Sequence, residues 1–237
     1  MATSHLQFLE LQVDALFTHD STGNIVAINE PDGGPAPRFF LGRSQVGNLW
    51  RVRHDLPEVT ARSLHALAAD VPVSEDLRAE PHNMAAFLEA LRADQEIRSV
   101  WSGPAYRFPD TLPALAAHVT RITRANLYLL RQMDWNQTDL ARDFEHWEPM
   151  VAVVEDDAAV SLCFSSRLTA RAAEAGVETM ETYRGRGHAS TVVTSWAHAV
   201  RATGRVPLYS TSWDNRASQA VARILGLVQY GADLSVR

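Results

Sequence analysis

The stretch Tyr183-Arg184-Gly185-Arg186-Gly187-His188-Ala189 alternates glycine with cationic residues just ahead of an apolar, helix-spaced run. Glycine removes the side chain that would keep a ligand away from the main chain. A helix N-terminus carries unpaired N–H groups and a partial positive charge, so a strand, a Gly-rich turn and a helix in that order form a cradle for a diphosphate. The amides of Gly185 to Ala189 and the next residue, Ser190, are the candidate donors, with Arg184 and Arg186 adding full charges. The turn alone is equally compatible with a tight connection flanked by solvated arginines. Neither Gly-x-x-x-x-Gly-Lys-Ser/Thr nor Gly-x-Gly-x-x-Gly occurs, so the common nucleotide loops are not indicated.

Two carboxylates precede the turn and could handle a proton. Glu174 lies at the entry to the expected strand and Glu178 within it. For each there is a plainer reading, as an ion-paired surface glutamate or as the polar side of an alternating strand. Cys163 sits in an apolar run with no base placed to form its thiolate, which reads as a small core residue. The nine histidines show no zinc-ligand spacing with that lone cysteine, so no metal is expected.

The elements around the turn follow from periodicity. In the first third, Ala15–Thr18 and Ile25–Ile28 read as a hairpin, and Arg38–Leu41 with Leu49–Arg53 as a second. Two amphipathic helices follow, one behind Pro57 and one behind His82-Asn83, and then a strand over Ile97–Phe108 interrupted at Gly103-Pro104. Two prolines in Pro109-Asp110-Thr111-Leu112-Pro113 suggest a boundary, dividing the chain into an N-terminal α/β domain, 1–110, and a second domain, 111–237. The second domain is expected to hold a helical stretch from Ala114 to Phe144 and a hairpin about Glu155-Asp156-Asp157. Strand Gly176–Thr182, helix Gly187–Thr203, strand Leu208–Trp213, helix Arg216–Leu225 and strand Leu227–Tyr230 complete it. The first of these helices should bury Ala189, Val193, Trp196 and Val200, and the second Ala217, Val221, Ile224 and Leu225.

A chain of 237 residues with 46% hydrophobic and 21% charged residues has the balance of a globular protein. The net charge of -6 repels phosphate backbones, so no nucleic-acid partner is expected. A lone cysteine, no basic leader and no apolar run near the roughly 20 residues of a membrane span point to a cytoplasmic protein without a membrane partner.

Arg184-x-x-Gly187-x-Ala189 resembles the acetyl-CoA signature of the GNAT superfamily of acyltransferases, Arg/Gln-x-x-Gly-x-Gly/Ala. Trp213-x-Asn215-x-x-Ser218 followed by Leu225-Gly226-Leu227 is similar to that superfamily's second block, in the right order. Glu174-Ala175-Gly176-Val177 and Pro37–Gly42 resemble segments of bacterial members. The resemblance implies an α/β GNAT fold, a mixed central sheet flanked by helices, preceded by the smaller N-terminal domain. It implies acetyl-CoA as co-substrate and direct transfer of the acetyl group to the primary amine of a small molecule or peptide, with no acyl-enzyme. It further implies pantetheine contacts from the backbone of Val177 and Thr179 and from Asn215 and Ser218, with Glu174 near the position of a family base. Where many members carry a tyrosine that protonates the thiolate, this chain has Ala222, leaving Tyr230 or water as the acid. That departure also fits a non-catalytic acyl-CoA-binding protein. The N-terminal hairpins could present an edge strand for a homodimer.

Overall fold

The computed structural model describes residues 4–116 and 118–237; Met1–Thr3 and Ala117, the latter inside the stretch expected to be helical, lie outside it. The elements run α1 His5–Leu16, β1 Phe17–His19, β2 Ile25–Ile28, β3 Phe39–Ser44, β4 Gly47–Val52, α2 Glu58–Ala69, α3 Met84–Arg92 and β5 Val100–Arg107. They continue with β6 Val119–Ile122, a 3-10 helix Arg124–Leu130, α4 Gln137–Arg142, α5 Phe144–Trp147, β7 Met150–Glu155, β8 Ala158–Leu168 and β9 Ala172–Thr179. After a short 3-10 turn, Glu181–Tyr183, come α6 His188–Ala202, β10 Val206–Ser210, α7 Arg216–Ile224 and β11 Val228–Val236.

The chain divides into two compact units. The first comprises residues up to Arg107 together with Ser210–Gln219 and Gln229–Arg237; the second comprises Phe108–Tyr209 and Ala220–Val228.

In the first unit the strand order is β4-β3-β11-β5, with β3 antiparallel to both neighbours for which a register is defined. Strand β3 is buried on both faces, as a central strand between helical layers must be. On one face Phe39 and Leu41 join Val52, Leu64, Phe87, Leu91, Leu234 and Val236 in a core beneath α2 and α3. On the other face α1 lies close: a Cβ added at Gly42 or Gly231 would come within 2.9 or 2.8 Å of the Leu9 side chain. Helix α1 was not expected from its short apolar run, although Ser4 and Gln7 form a reciprocal capping box at its start. The β1–β2 hairpin stands as a separate two-stranded sheet whose turn is folded by Asp20, which accepts from Thr22 and Asn24. These bonds hold the Asp20 carboxyl at about 2, well below its usual value. Strand β5 runs without a break through Gly103-Pro104, contrary to the expected interruption. A Cβ at Gly103 would lie 1.7 Å from the Thr211 carbonyl oxygen, so the glycine serves close main-chain approach.

In the second unit the order is β10-β9-β8-β7-β6, antiparallel except for the parallel pair β9/β10. The β7–β8 hairpin closes over Asp156 and Asp157, both at positive φ (48° and 56°), the geometry of a tight two-residue turn. The stretch expected to be helical from Ala114 to Phe144 contains β6 as well as the 3-10 helix and α4. Its apolar residues, including Ile122, Leu130, Leu140 and Phe144, pack with Met150, Leu162 and Phe164. Helix α6 covers the opposite face, burying Val192, Val193, Trp196, Ala197 and Val200. Trp196 is anchored by an indole N–H donated to Ser165 Oγ at 3.2 Å. Ala189, expected in that stripe, is only half-buried. Helix α7 also departs from expectation. It buries Ala222, with Leu225 just beyond its end, while Ile224 is 71% exposed and Ala217 is exposed, a rotation of the apolar stripe relative to the sequence pattern.

Candidate functional site

Strand β9 meets its two neighbours differently. Its antiparallel ladder to β8 runs from Ala173 to Thr179, whereas its parallel ladder to β10 pairs Ala172, Ala173 and Glu174 with Val206, Pro207 and Leu208. Beyond Glu174 that ladder ends while β9 continues for five residues, so the main chain from Ala175 to Thr179 turns one edge away from β10. An extended ligand could pair with such an edge.

The turn after β9 leaves its main chain open. Gly185 and Gly187 take φ of 77° and 82°, and nothing lies within 4 Å of a Cβ added at either. Gly187 is the N-cap of α6 and no side chain caps the helix. The first amide of this region to find a protein acceptor is Thr191 N, bonded to the Gly187 carbonyl at 3.2 Å. Among the described residues, none of the six preceding amides, Gly185 through Ser190, donates to a protein acceptor, and none of the six residues is buried. The hydroxyl of Ser190 is turned back to the Gly187 carbonyl at 2.8 Å. Six consecutive free donors at the head of a 15-residue helix make a patch of positive potential.

The cationic side chains lie against this turn. Arg184 donates Nε to the Thr179 carbonyl at 3.3 Å. Arg186 donates to the Thr182 carbonyl at 3.1 Å and rests 4.7 Å from the Tyr183 ring centre. Glu155, at the end of β7, approaches Arg186 at 3.9 Å and the His188 ring at 3.4 Å. Sequence reasoning missed Glu155, because some thirty residues separate it from the turn and only the sheet register brings it near.

Side chains of β9 alternate between the two faces of the sheet. Thr179 Oγ1 lies 2.8 Å from Ser161 Oγ, and Val177 is opposite Cys163, on the face that carries Ser165 toward Trp196. Gly176 and Glu178 occupy the other face, opposite Phe164 and Leu162. Glu174 is only 3% exposed and stands at the last position of the β10 ladder. Glu178 is exposed, and its Oε2 accepts the indole N–H of Trp135 at 3.1 Å. Cys163 is fully buried, and burial pushes its thiol well above the usual range, consistent with a core residue.

In the other unit, Asn215 caps the start of α7: its Oδ1 accepts from Ser218 N at 3.0 Å, and its own N–H donates to Ser212 Oγ at 3.2 Å. Trp213 is half-buried, with the Arg78 guanidinium 5.2 Å from its ring centre. Ala222, farther along α7 and in the second unit, is 1% exposed. Tyr230 is completely buried and stacked on Phe8 with ring centroids 5.3 Å apart.

No helix of the described residues is long and apolar enough to cross a membrane. Nor do the described residues contain a group of three His, Cys, Asp or Glu side chains arranged for a metal ion.

Comparison with known proteins bears on the family and the fold. Residues 107–232 match the family model described as GNAT acetyltransferase. No curated protein matches the chain. Among solved structures, an acetyltransferase from the GNAT family of Colwellia psychrerythraea is similar over 100% of this chain and 97% of its own, with 12% identity and a TM-score of 0.51. A GCN5-related N-acetyltransferase-like protein from Streptococcus suis 89/1591 is 16% identical over 85% of each chain, with a TM-score of 0.51. For a GNAT-family protein of Novosphingobium aromaticivorans DSM 12444 the figures are 16% identity, a TM-score of 0.48, 60% of this chain and 66% of the other. Sequence and fold agree that this chain belongs to the GNAT acetyltransferase family, whose members in general transfer an acyl group from acyl-CoA to an amine.

Proposed function

We propose that this protein is an acetyl-CoA-dependent N-acetyltransferase acting on a primary amine of a small molecule or peptide. The observation that carries the reading is the row of six unpartnered amides from Gly185 to Ser190, which would take the diphosphate of acetyl-CoA, with Arg184 and Arg186 contributing charge. The unpaired edge of β9 at Val177 and Thr179 would pair with the pantetheine arm and polarise the acetyl carbonyl.

The reaction needs only the two substrates and a proton acceptor. The amine lone pair attacks the thioester carbonyl carbon, a C–N bond forms, and the C–S bond breaks with its electron pair leaving on sulfur. The nitrogen loses a proton and the CoA thiolate gains one. An alkylammonium of pKa near 10 is only about 0.1% neutral at pH 7, so a base is needed before attack. Glu174 and Glu178 share the β9 face opposite the one toward α6 and are the proposed bases. Ala222 offers no proton at the position where many members carry tyrosine, so water serves the thiolate in this reading.

The same alanine favours a second reading, a protein that binds acyl-CoA without turning it over. Release of CoA thiol across a panel of amines separates the two. Turnover with any amine supports the enzyme, and acetyl-CoA binding without turnover on all of them supports the sensor. In the enzyme, Glu174→Gln measured across pH should lower kcat more than affinity; undiminished turnover removes Glu174 from the base role and shifts it to Glu178 or water.

A further inference from the structure

The β9 face that carries Glu178 is lined by an aromatic wall drawn from three other segments. Trp135 lies just before α4, Trp147 ends α5 and Phe164 is on β8. Their rings meet edge to face, with centroids 4.7 Å apart for Trp135–Phe164, 5.5 Å for Trp135–Trp147 and 5.9 Å for Trp147–Phe164. Phe164 is buried, while both tryptophans remain half-exposed. Gly176, two residues before Glu178, sits directly under the wall; a Cβ there would come within 2.5 Å of the Phe164 ring, so this position leaves no room for a side chain.

Glu178 completes the group. Its carboxylate receives one neutral hydrogen bond, from Trp135, and among the described residues it forms no ion pair. On the segments that carry the two tryptophans, Arg124 is paired with Glu145, and Arg142 with Asp139 and Asp143. A carboxylate without a cation beside indole and phenyl rings is the arrangement that recognises an organic ammonium, through a charge-assisted hydrogen bond and attraction of the cation to the ring faces.

We propose that Trp135, Trp147, Phe164 and Glu178 form the acceptor subsite and that it selects an amine arriving as a cation with an apolar or aromatic body, rather than a neutral or anionic acceptor. This deepens the proposed function and rests on it. The protonated amine docks on Glu178, the aromatic wall holds its body, and the proton passes to the carboxylate as the nitrogen turns toward the thioester.

The test uses the full chain with three probes: 2-phenylethylammonium, the isosteric neutral 2-phenylethanol and 3-phenylpropionate. Binding is followed by tryptophan fluorescence, and acetyl-CoA binding is titrated separately by calorimetry. The ammonium should saturate at least tenfold more tightly than the alcohol, with no saturation by the anion. Glu178→Gln should weaken the ammonium about tenfold and leave the alcohol unchanged, and Trp147→Leu should weaken both. Absence of saturable ammonium binding, equal affinity for ammonium and alcohol, or an unaltered ammonium affinity in Glu178→Gln would each overturn the assignment. Those results with acetyl-CoA binding intact defeat the subsite alone, whereas loss of acetyl-CoA binding by the unmodified protein defeats the cofactor cradle as well.

Discussion

Replacement of Gly187 separates the backbone role of the turn from its role toward a ligand. Gly187 has φ 82° and ψ 0°, and a Cβ there meets nothing within 4 Å. Gly187→Ala therefore carries only the cost of a left-handed conformation, about 1–2 kcal/mol. For a chain of this size that corresponds to a fall in Tm of roughly 2–8 °C. Gly187→Trp has the same backbone cost, but its ring would cover the amides beside it. A hydrogen bond to a charged group contributes about 1.5–3 kcal/mol, so masking two amides should weaken CoA by roughly 100- to 10,000-fold. Thermal unfolding without ligand measures the first quantity, and calorimetric titration with CoA the second. The reasoning is refuted if the tryptophan variant unfolds cooperatively, loses no more Tm than the alanine variant, and still binds CoA within threefold of the unmodified protein.

Three further perturbations probe other parts of the chain. Glu155→Gln removes the carboxylate that competes for Arg186 and the His188 ring; CoA should bind about two- to fivefold more tightly in low salt, with the gain fading in 0.5 M NaCl, as calorimetry at two ionic strengths would reveal. The depressed carboxyl of Asp20 contributes to the β1–β2 turn fully above its usual value near 3.8 and loses that contribution as pH falls through about 2. NMR shifts of the Thr22 and Asn24 amides should therefore titrate in that window and not above pH 5. Gly103→Ala forces a methyl to within 1.7 Å of the Thr211 carbonyl oxygen and should cost at least about 3 kcal/mol in denaturant unfolding; a loss below 1 kcal/mol would contradict the described approach of the two segments.

The parts legible in the sequence were those encoded by local chemistry. Two glycines ahead of a helix and an acidic turn at 155–157 need only neighbouring residues to form, and each stands where its spacing indicated. What escaped was set by distant partners. The run from Ala114 to Phe144 has helical spacing, yet part of it pairs as β6 with β7, where Val119 meets Val153 and Ile122 meets Met150. Strand β11 extends to Val236 because β3, nearly 200 residues earlier, offers it an antiparallel edge. In the site, Glu155 and the Trp135–Trp147–Phe164 wall carried no recognisable motif, since their meaning depends on sheet register and packing. Glu178 was named from sequence, but its aromatic company was not.

The buried position of Cys163 has a practical consequence. With its sulfur fully enclosed and its only thiol held in the protonated form, the native protein should stay silent toward Ellman's reagent. Every equivalent of yellow anion released in a turnover experiment then belongs to the cofactor product. The same atom becomes a gauge of conformational opening, because one stoichiometric signal appears only when the β8 layer comes apart.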